Sequence, residues 1–173
     1  RDYESAVRKI KHILVDLYLQ YEFLKKNFSE SEQMRYRQIS YNMDNVAAQD
    51  ALKSLAALLS SYYGKKAIIL LDEYDTPMQE AYIHGYWEEF TGFMRSMFNA
   101  TFKTNPYLER AVMTGITRVS KESMFSDLNN LNVVTMTSKE YATAFGFTGE
   151  EVFAALDSYG MSEEKEKVKK WYD

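Results

Sequence analysis

The first 64 residues carry apolar positions at helical spacing, which predicts an amphipathic helical segment. One stripe predicts a long helix over residues 3–27, and a capping-box pattern opens a short helix over residues 29–38. A third stripe predicts a helix over residues 48–62. Gly64 should close this helix, because glycine readily adopts the left-handed conformation that often follows a helix end.

After Gly64 the pattern changes to short, continuous apolar runs, which are typical of strands buried on both faces of a parallel sheet. We expect such strands over residues 66–71, 109–114 and 132–136. Because helical patterns separate the strands, they should join one parallel sheet through right-handed crossovers.

Helices are also predicted between and after these strands. Pro77 suits the first turn of a short helix, and an apolar stripe predicts another helix over residues 87–102 that stops before an Asn-Pro pair. Thr148 and Glu151 have the spacing of a capping box at the start of a helix. Ser162, followed by two glutamates, suits the N-cap of the last helix.

Composition limits the classes of protein that this pattern fits. At 173 residues, with 46% apolar and 27% charged residues, the chain suits one globular domain. A net charge of −4 gives no electrostatic footprint for nucleic acid, and the lack of cysteine excludes disulfides and cysteine-based zinc sites. No apolar run reaches the roughly 18–20 residues of a membrane span, and no signal peptide is visible. We therefore expect a soluble, cytoplasmic protein, and both of its ends look cut from a longer chain.

Two adjacent carboxylates, Asp72 and Glu73, follow the first predicted strand. Ligands bind at the carboxyl ends of strands in open α/β sheets, and an apolar strand ending in acids has the form of a Walker B element. In that interpretation Asp72 holds Mg²⁺, through a water or directly, and Glu73 polarises the water that attacks the γ-phosphate. The alternative is a solvated loop whose acids cap the next helix. Asp75 suits the N-cap of the helix begun at Pro77, with an indirect role in metal binding as its alternative.

Polar residues also follow the second predicted strand. If the strands are neighbours, Thr114 and Gly115 lie beside the two acids, at the position that senses the γ-phosphate in an NTPase. Arg118 could add positive charge there, as residues that stabilise a transition state do. The alternative is an ordinary strand-to-loop turn with a surface arginine.

Residues 70–77, with the sequence LLDEYDTP, resemble the Walker B signature of the bacterial AAA-ATPase-like family. Residues 114–131 are similar to that family's region around sensor 1, and residues 141–151 resemble the segment after it. The final Trp-Tyr-Asp resembles the start of a WYDGY motif, so the resemblance covers about residues 65–173. Members of this family are predicted P-loop NTPases that often carry a nuclease-like segment of the PD-(D/E)XK type at the C-terminus.

The resemblance implies that Asp72 and Glu73 are the Walker B pair, with ATP and Mg²⁺ as cofactors. Thr114 matches the sensor position, and Arg118 occupies a basic position of the family motif. Family members also carry a GK[ST]-type P-loop near the N-terminus, and this sequence has none. Its Gly-Lys pair at residues 64–65 leads into a strand, whereas a phosphate cradle needs backbone N–H groups at a helix start. The nuclease-like segment is absent from the sequence as well.

The family resemblance also implies an α/β fold with a three-layer P-loop NTPase-like core. Residues 1–64 would form a helical N-terminal part, residues 65–137 the sheet core with the Walker B, sensor and last strands, and residues 138–173 a C-terminal helical lid. In such NTPases the P-loop strand lies between the sensor strand and the last strand, so this sheet would lack its centre. An unpaired central edge favours aggregation. We therefore expect direct pairing of the remaining strands, self-association, or a segment of the full protein to fill the gap.

Two functional hypotheses account for these features. In the first, the chain is part of an ATP-binding and hydrolysing domain, needs the missing N-terminal P-loop segment as its partner, and is inactive or nearly so alone. In the second, it is a non-catalytic module that binds protein partners on a degenerate ATPase fold. A nucleic-acid-processing role, suggested by the family's nuclease-like segment, is disfavoured by the acidic charge.

Overall fold

The computed structural model describes residues 2–116, 125, 128, 131–144 and 146–172, and these ranges are mostly helical. In chain order the α-helices are α1 (Tyr3–Gln20), α2 (Glu30–Arg37), α3 (Asn45–Tyr63), α4 (Thr76–Ile83), α5 (Trp87–Phe98), α6 (Gly149–Ser158) and α7 (Lys165–Tyr172). The strands of the described part are β1 (Ala67–Leu71) and β2 (Leu108–Met113). Two 3₁₀ turns cover Glu22–Asn27 and Ser162–Glu164, and a π-helical turn covers Asn99–Lys103. None of the described helices is long and apolar enough to cross a membrane.

Local capping explains where several helices of the N-terminal part begin and end. The predicted capping box of Ser29 and Glu32 is present at the start of α2, with both reciprocal hydrogen bonds formed. Gly64, with φ of 64°, closes α3 as predicted. The first helix is shorter than predicted, because the Tyr21 N–H donates to the Tyr18 carbonyl at 3.0 Å and the chain tightens into a 3₁₀ turn.

The chain divides into two compact units, Arg1–Asn129 and Asn130–Asp173. In the second unit, α6 begins with the predicted capping box, and no described residue is buried. The predicted N-cap at Ser162 is wrong: this residue begins the 3₁₀ turn, and its hydroxyl donates to Asp157 Oδ1 at 2.6 Å. A nearby carboxylate therefore uses the hydroxyl that would otherwise cap the helix.

Helices α1, α3 and α5 of the first unit pack around one apolar core, to which α2 and α4 also contribute. Phe98 is 1% exposed, and its ring stacks on that of Phe125 with 5.9 Å between the centroids. The most deeply buried members of the core are Tyr18, Ala48, Ala51, Leu58, Met78, Ala81, Phe90 and Phe98. Alanines at two of these positions on α3 let the neighbouring helices approach closely.

Tyr18 of α1 links three of these helices through hydrogen bonds at the centre of the core. Its hydroxyl donates to the Ala51 carbonyl of α3 at 2.7 Å, and its own carbonyl accepts from the Tyr36 hydroxyl of α2 at 2.6 Å. Burial raises the pKa of the Tyr18 hydroxyl well above its ordinary value of 10.0, because the phenolate cannot be solvated there. Burial also raises the pKa of the Tyr36 hydroxyl above its ordinary value.

We expect this burial to make the protein sensitive to alkali. Above about pH 10 the unfolded chain loses the Tyr18 proton while the folded chain keeps it, so the free energy of unfolding falls as the pH rises. The free energy of unfolding, measured in urea, should fall less between about pH 7 and about pH 10.5 in the Tyr18→Phe variant than in the unchanged chain. At about pH 7 the same variant should lose roughly 0.5–1.5 kcal/mol with the hydrogen bond to Ala51. Tyr82→Phe is the matched control, because this side chain is 74% exposed. If the free energy of unfolding falls as much in Tyr18→Phe as in the unchanged chain, the alkali sensitivity does not come from Tyr18.

The strands β1 and β2 form a two-stranded parallel sheet whose register pairs Leu70 with Val112 and Leu71 with Met113. Leu71 and Met113 pack against the helical core, on one face of the sheet. On the other face, Ile68 and Leu70 are 62% and 76% exposed, and Val112 is 48% exposed. The prediction that these strands are buried on both faces is therefore wrong for this chain, because the described helices cover one face.

The predicted third strand over residues 132–136 is absent, since these residues are described and have no regular structure. Val133 and Met136 of this segment are exposed. The short apolar run suggested a strand, but a strand forms only where its backbone groups pair with those of a neighbouring strand, which an apolar run does not by itself ensure. The pairing of β1 with β2 agrees with the expectation that these two strands are neighbours. Direct pairing of residues 109–114 with a strand over residues 132–136, which was one of the expected ways to fill the gap in the sheet, is not formed, because residues 132–136 are not a strand.

Candidate functional site

The carboxyl ends of β1 and β2 bring the predicted residues Asp72 and Thr114 together. Because the strands are parallel and Leu71 pairs with Met113, the next residue of each strand lies at the same edge of the sheet. The Thr114 N–H continues the ladder by donating to the Leu71 carbonyl at 2.9 Å. Its side-chain hydroxyl donates a hydrogen bond to Asp72 Oδ1, which orients both side chains.

Asp72 has the environment of a carboxylate that can bind a cation. The side chain is exposed, and its Oδ1 accepts from the Thr114 hydroxyl and, at 3.1 Å, from the Glu73 N–H. Its Oδ2 accepts no hydrogen bond from the part of the chain that the structure describes. Mg²⁺ in nucleotide sites takes one or two carboxylate oxygens together with phosphates and waters, and Asp72 fits that donor set.

The described residues contain no group of three or more His, Cys, Asp or Glu side chains arranged to hold a metal ion. Arg118, the fourth predicted site residue, lies outside the described residues.

Glu73 lies next to this pair in an uncommon backbone conformation. Its φ is 51°, in the left-handed region that costs a non-glycine residue roughly 1–2 kcal/mol. The backbone N–H donates to Asp72 Oδ1 and, more weakly at 3.4 Å, to Thr114 Oγ1. The side chain is exposed. The turn therefore places a second carboxylate beside Asp72 with its direction set by a strained backbone.

Asp75 differs from the prediction. It occupies the N-cap position of α4, but its side chain makes no capping hydrogen bond. The carboxylate is 1% exposed instead, and its Oδ2 accepts from Gln79 Nε2 at 3.0 Å. The sequence did contain a sign of this burial, because Asp75 is three residues before the apolar Met78, which is fully buried on α4.

Gly115 lies against this buried carboxylate, directly after Thr114. A Cβ atom at this position would lie 2.6 Å from Asp75 Oδ1 and 2.8 Å from Cε1 of the Tyr74 ring. Real Cβ atoms do not approach other heavy atoms so closely. Glycine is therefore the only residue that fits at position 115 without displacing its neighbours. The turn after β1 and the end of β2 are therefore in close contact.

A separate cleft of 790 Å³ lies between α2, α3 and the segment before β2, and its lining includes Arg35, Asp50, Lys53 and Tyr107. Of the predicted site residues that the structure describes, which are Asp72, Glu73 and Thr114, none lines this cleft. Tyr107 precedes β2, so this part of the cleft is at the amino end of the strand. Open α/β sheets bind ligands at the opposite end, which favours the edge formed by Asp72 and Thr114 as the functional site.

Comparison with known proteins identifies a relative and a family that the chain resembles. An uncharacterized protein in the vnfD 5′ region of Azotobacter chroococcum mcd 1 is 25% identical over 111 residues. The alignment covers 64% of this chain and 21% of that protein, so the chain spans about a fifth of the length of this curated relative. No solved structure matches the chain.

The family described as Predicted AAA-ATPase matches residues 3–125. This match confirms the resemblance drawn from the LLDEYDTP segment. It begins earlier than the predicted span of residues 65–173, at the start of α1, and ends before the Tyr141 and Trp171 segments. Since the match includes α1 to α5, both strands and the two acids, the chain belongs to the AAA-ATPase-like family of predicted AAA-ATPases.

Proposed function

We propose that this chain supplies the metal-binding and water-orienting half of an ATP-hydrolysing site, at the carboxyl ends of β1 and β2. The observation that carries the proposal is the hydrogen bond between the Thr114 and Asp72 side chains on adjacent parallel strands, in a member of a predicted AAA-ATPase family. In this assignment β1 is the Walker B strand and β2 the sensor strand.

Each residue has a distinct role in the proposed reaction. Asp72 would hold Mg²⁺ through Oδ2, while the Thr114 hydroxyl and the Glu73 N–H keep Oδ1 in place. When bound, Mg²⁺ neutralises charge that develops on the phosphate oxygens. Glu73 would accept a hydrogen bond from the attacking water and orient it toward the γ-phosphate. Thr114 and Arg118 would detect and stabilise the phosphate, the latter by its positive charge.

The phosphate-binding half of the site would come from a P-loop segment outside this sequence. The exposed apolar face of the sheet, formed by Ile68, Leu70 and Val112, supports this part of the proposal. A further layer of helix and a P-loop strand would cover such a face and complete a three-layer core. Residues 138–173 would act as the C-terminal lid. The chain alone would then bind nucleotide weakly and be inactive or nearly so.

ATP turnover and ATP binding test the proposal together. We expect the product of the complete reading frame to hydrolyse ATP with Mg²⁺, and calorimetric titration of ATP and Mg²⁺ into this chain alone to show no micromolar binding. Micromolar binding by the chain alone would contradict the proposal that the phosphate-binding half lies elsewhere. No turnover by a complete product that contains a P-loop would favour the alternative, a non-catalytic module that binds protein partners through the apolar sheet face.

A further inference from the structure

We propose that Asp75 is a positioning residue, which holds Glu73 in its left-handed conformation by locking the turn after β1 against Gly115. The inference rests on the proposed function, because it concerns how the water-orienting carboxylate is aimed. Asp75 itself would contact neither nucleotide nor metal.

The first support is the contrast between the acids of this turn. Asp72 and Glu73 are exposed, whereas Asp75 is 1% exposed. Burial of a carboxylate is costly unless hydrogen bonds satisfy it, and Gln79 Nε2 provides one of them at 3.0 Å. Since the side chain makes no helix-capping bond, capping does not account for the burial of this acid.

The second support is the close approach of Asp75 to Gly115. The carboxylate occupies the space where any Cβ at position 115 would lie, at 2.6 Å from Oδ1. The backbone reinforces the contact, since the Tyr74 N–H donates to the Thr114 carbonyl at 3.0 Å. The turn after β1 is therefore held to the end of β2 both by its backbone and by a buried side chain.

The third support is the conformation that lies between these contacts. Glu73 has φ of 51°, which a glutamate adopts when its surroundings impose it. On its N-terminal side the residue is held by Asp72 Oδ1, which accepts from its N–H. On its C-terminal side the Thr76 N–H donates to the Glu73 carbonyl at 3.1 Å, and Asp75 anchors the same turn in the core. Loss of that anchor should let the turn relax and the carboxylate change direction.

A double-mutant cycle on the stability of this chain tests the idea without any assay of ATP. In a Trp171→Phe background, Trp87 is the single tryptophan and reports unfolding of the first unit in urea. Glu73→Gly should raise the unfolding midpoint when Asp75 is present, because glycine adopts positive φ at no steric cost. In an Asp75→Ala background, Glu73→Gly should not raise the unfolding midpoint, because the turn after β1 has already relaxed. Equal rises in the two backgrounds would overturn the proposal.

The catalytic consequence is tested in the product of the complete reading frame. Gly115→Ala should displace the Asp75 carboxylate and lower kcat by about tenfold or more, while the Kd for ATP with Mg²⁺ stays within about twofold. Gly92→Ala is the matched control, because a Cβ there meets nothing within 4 Å, and it should change neither quantity. An unchanged kcat in Gly115→Ala would overturn the proposal. If the unaltered protein has no ATP turnover, the proposed function fails, while the midpoint cycle still decides the role of Asp75.

Discussion

Replacing Glu73 by glutamine should lower the ATP turnover of the complete protein by about 10²-fold or more, with little change in the Kd for ATP. Glutamine has nearly the same size and hydrogen-bonding reach, so it should keep the exposed position beside Asp72. It lacks the negative charge that polarises an attacking water. The backbone N–H of residue 73 is unchanged, so its bond to Asp72 Oδ1 and the proposed metal ligand should remain in place.

A steady-state assay of phosphate release, with a parallel nucleotide titration, separates this loss from a loss of binding. Glu109→Gln is the matched control, because Glu109 is also exposed but lies at the other end of β2. We expect the control to retain the turnover of the unaltered protein. Undiminished turnover in Glu73→Gln would remove Glu73 from the mechanism, and the assignment of β1 as a Walker B strand would lose its main functional support.

Phe98→Ala should give the largest loss of stability, about 3–5 kcal/mol in the free energy of unfolding. The side chain is 1% exposed and contacts the rings of Phe102 and Phe125, with centroid distances of 5.5 and 5.9 Å. Truncation would remove these contacts and leave a cavity beside α5, which the closely packed helices can fill only in part. The site would be affected indirectly, since Phe125 also packs against the Tyr74 ring in the turn after β1.

Urea unfolding in the Trp171→Phe background measures this loss for the first unit, with Trp87 as its fluorescent reporter. Phe23→Ala makes the same chemical change in the first unit at a side chain 48% exposed, and should lower the free energy of unfolding by no more than about 1 kcal/mol. A loss below about 1 kcal/mol in Phe98→Ala would show that the stacked rings contribute little to the core.

Features decided by neighbours along the chain were predictable from the sequence. The capping boxes that open α2 and α6, the glycine that closes α3 and the proline in the first turn of α4 are all present. In each of them, the interacting groups lie within one turn of each other, so sequence spacing is enough to bring them together. The first strand and its two acids were predictable for a similar reason, since a continuous apolar run ending in polar residues is a local pattern.

Features that depend on residues distant in the sequence were not predictable from it. The run of residues 66–71 indicated burial on both faces, yet the exposure of Ile68 and Leu70 depends on which helices cover the sheet. The run at residues 132–136 had strand character but has no regular structure, because a strand also depends on pairing with another segment of the chain. Asp75 looked like a helix cap, whereas its carboxylate is buried and lies against Gly115, forty residues away in sequence.

By itself, then, the sequence determined the helices, the two strands, the family and the identity of the candidate acids. The tertiary structure alone decided that Asp72 and Thr114 share a hydrogen bond, because parallel pairing with the observed register puts the two strand ends side by side. It also decided that Asp75 is buried and Glu73 exposed. The physical reason is that each residue's type fixes the chemistry of its side chain, whereas its solvation and contacts depend on which other parts of the chain pack against it.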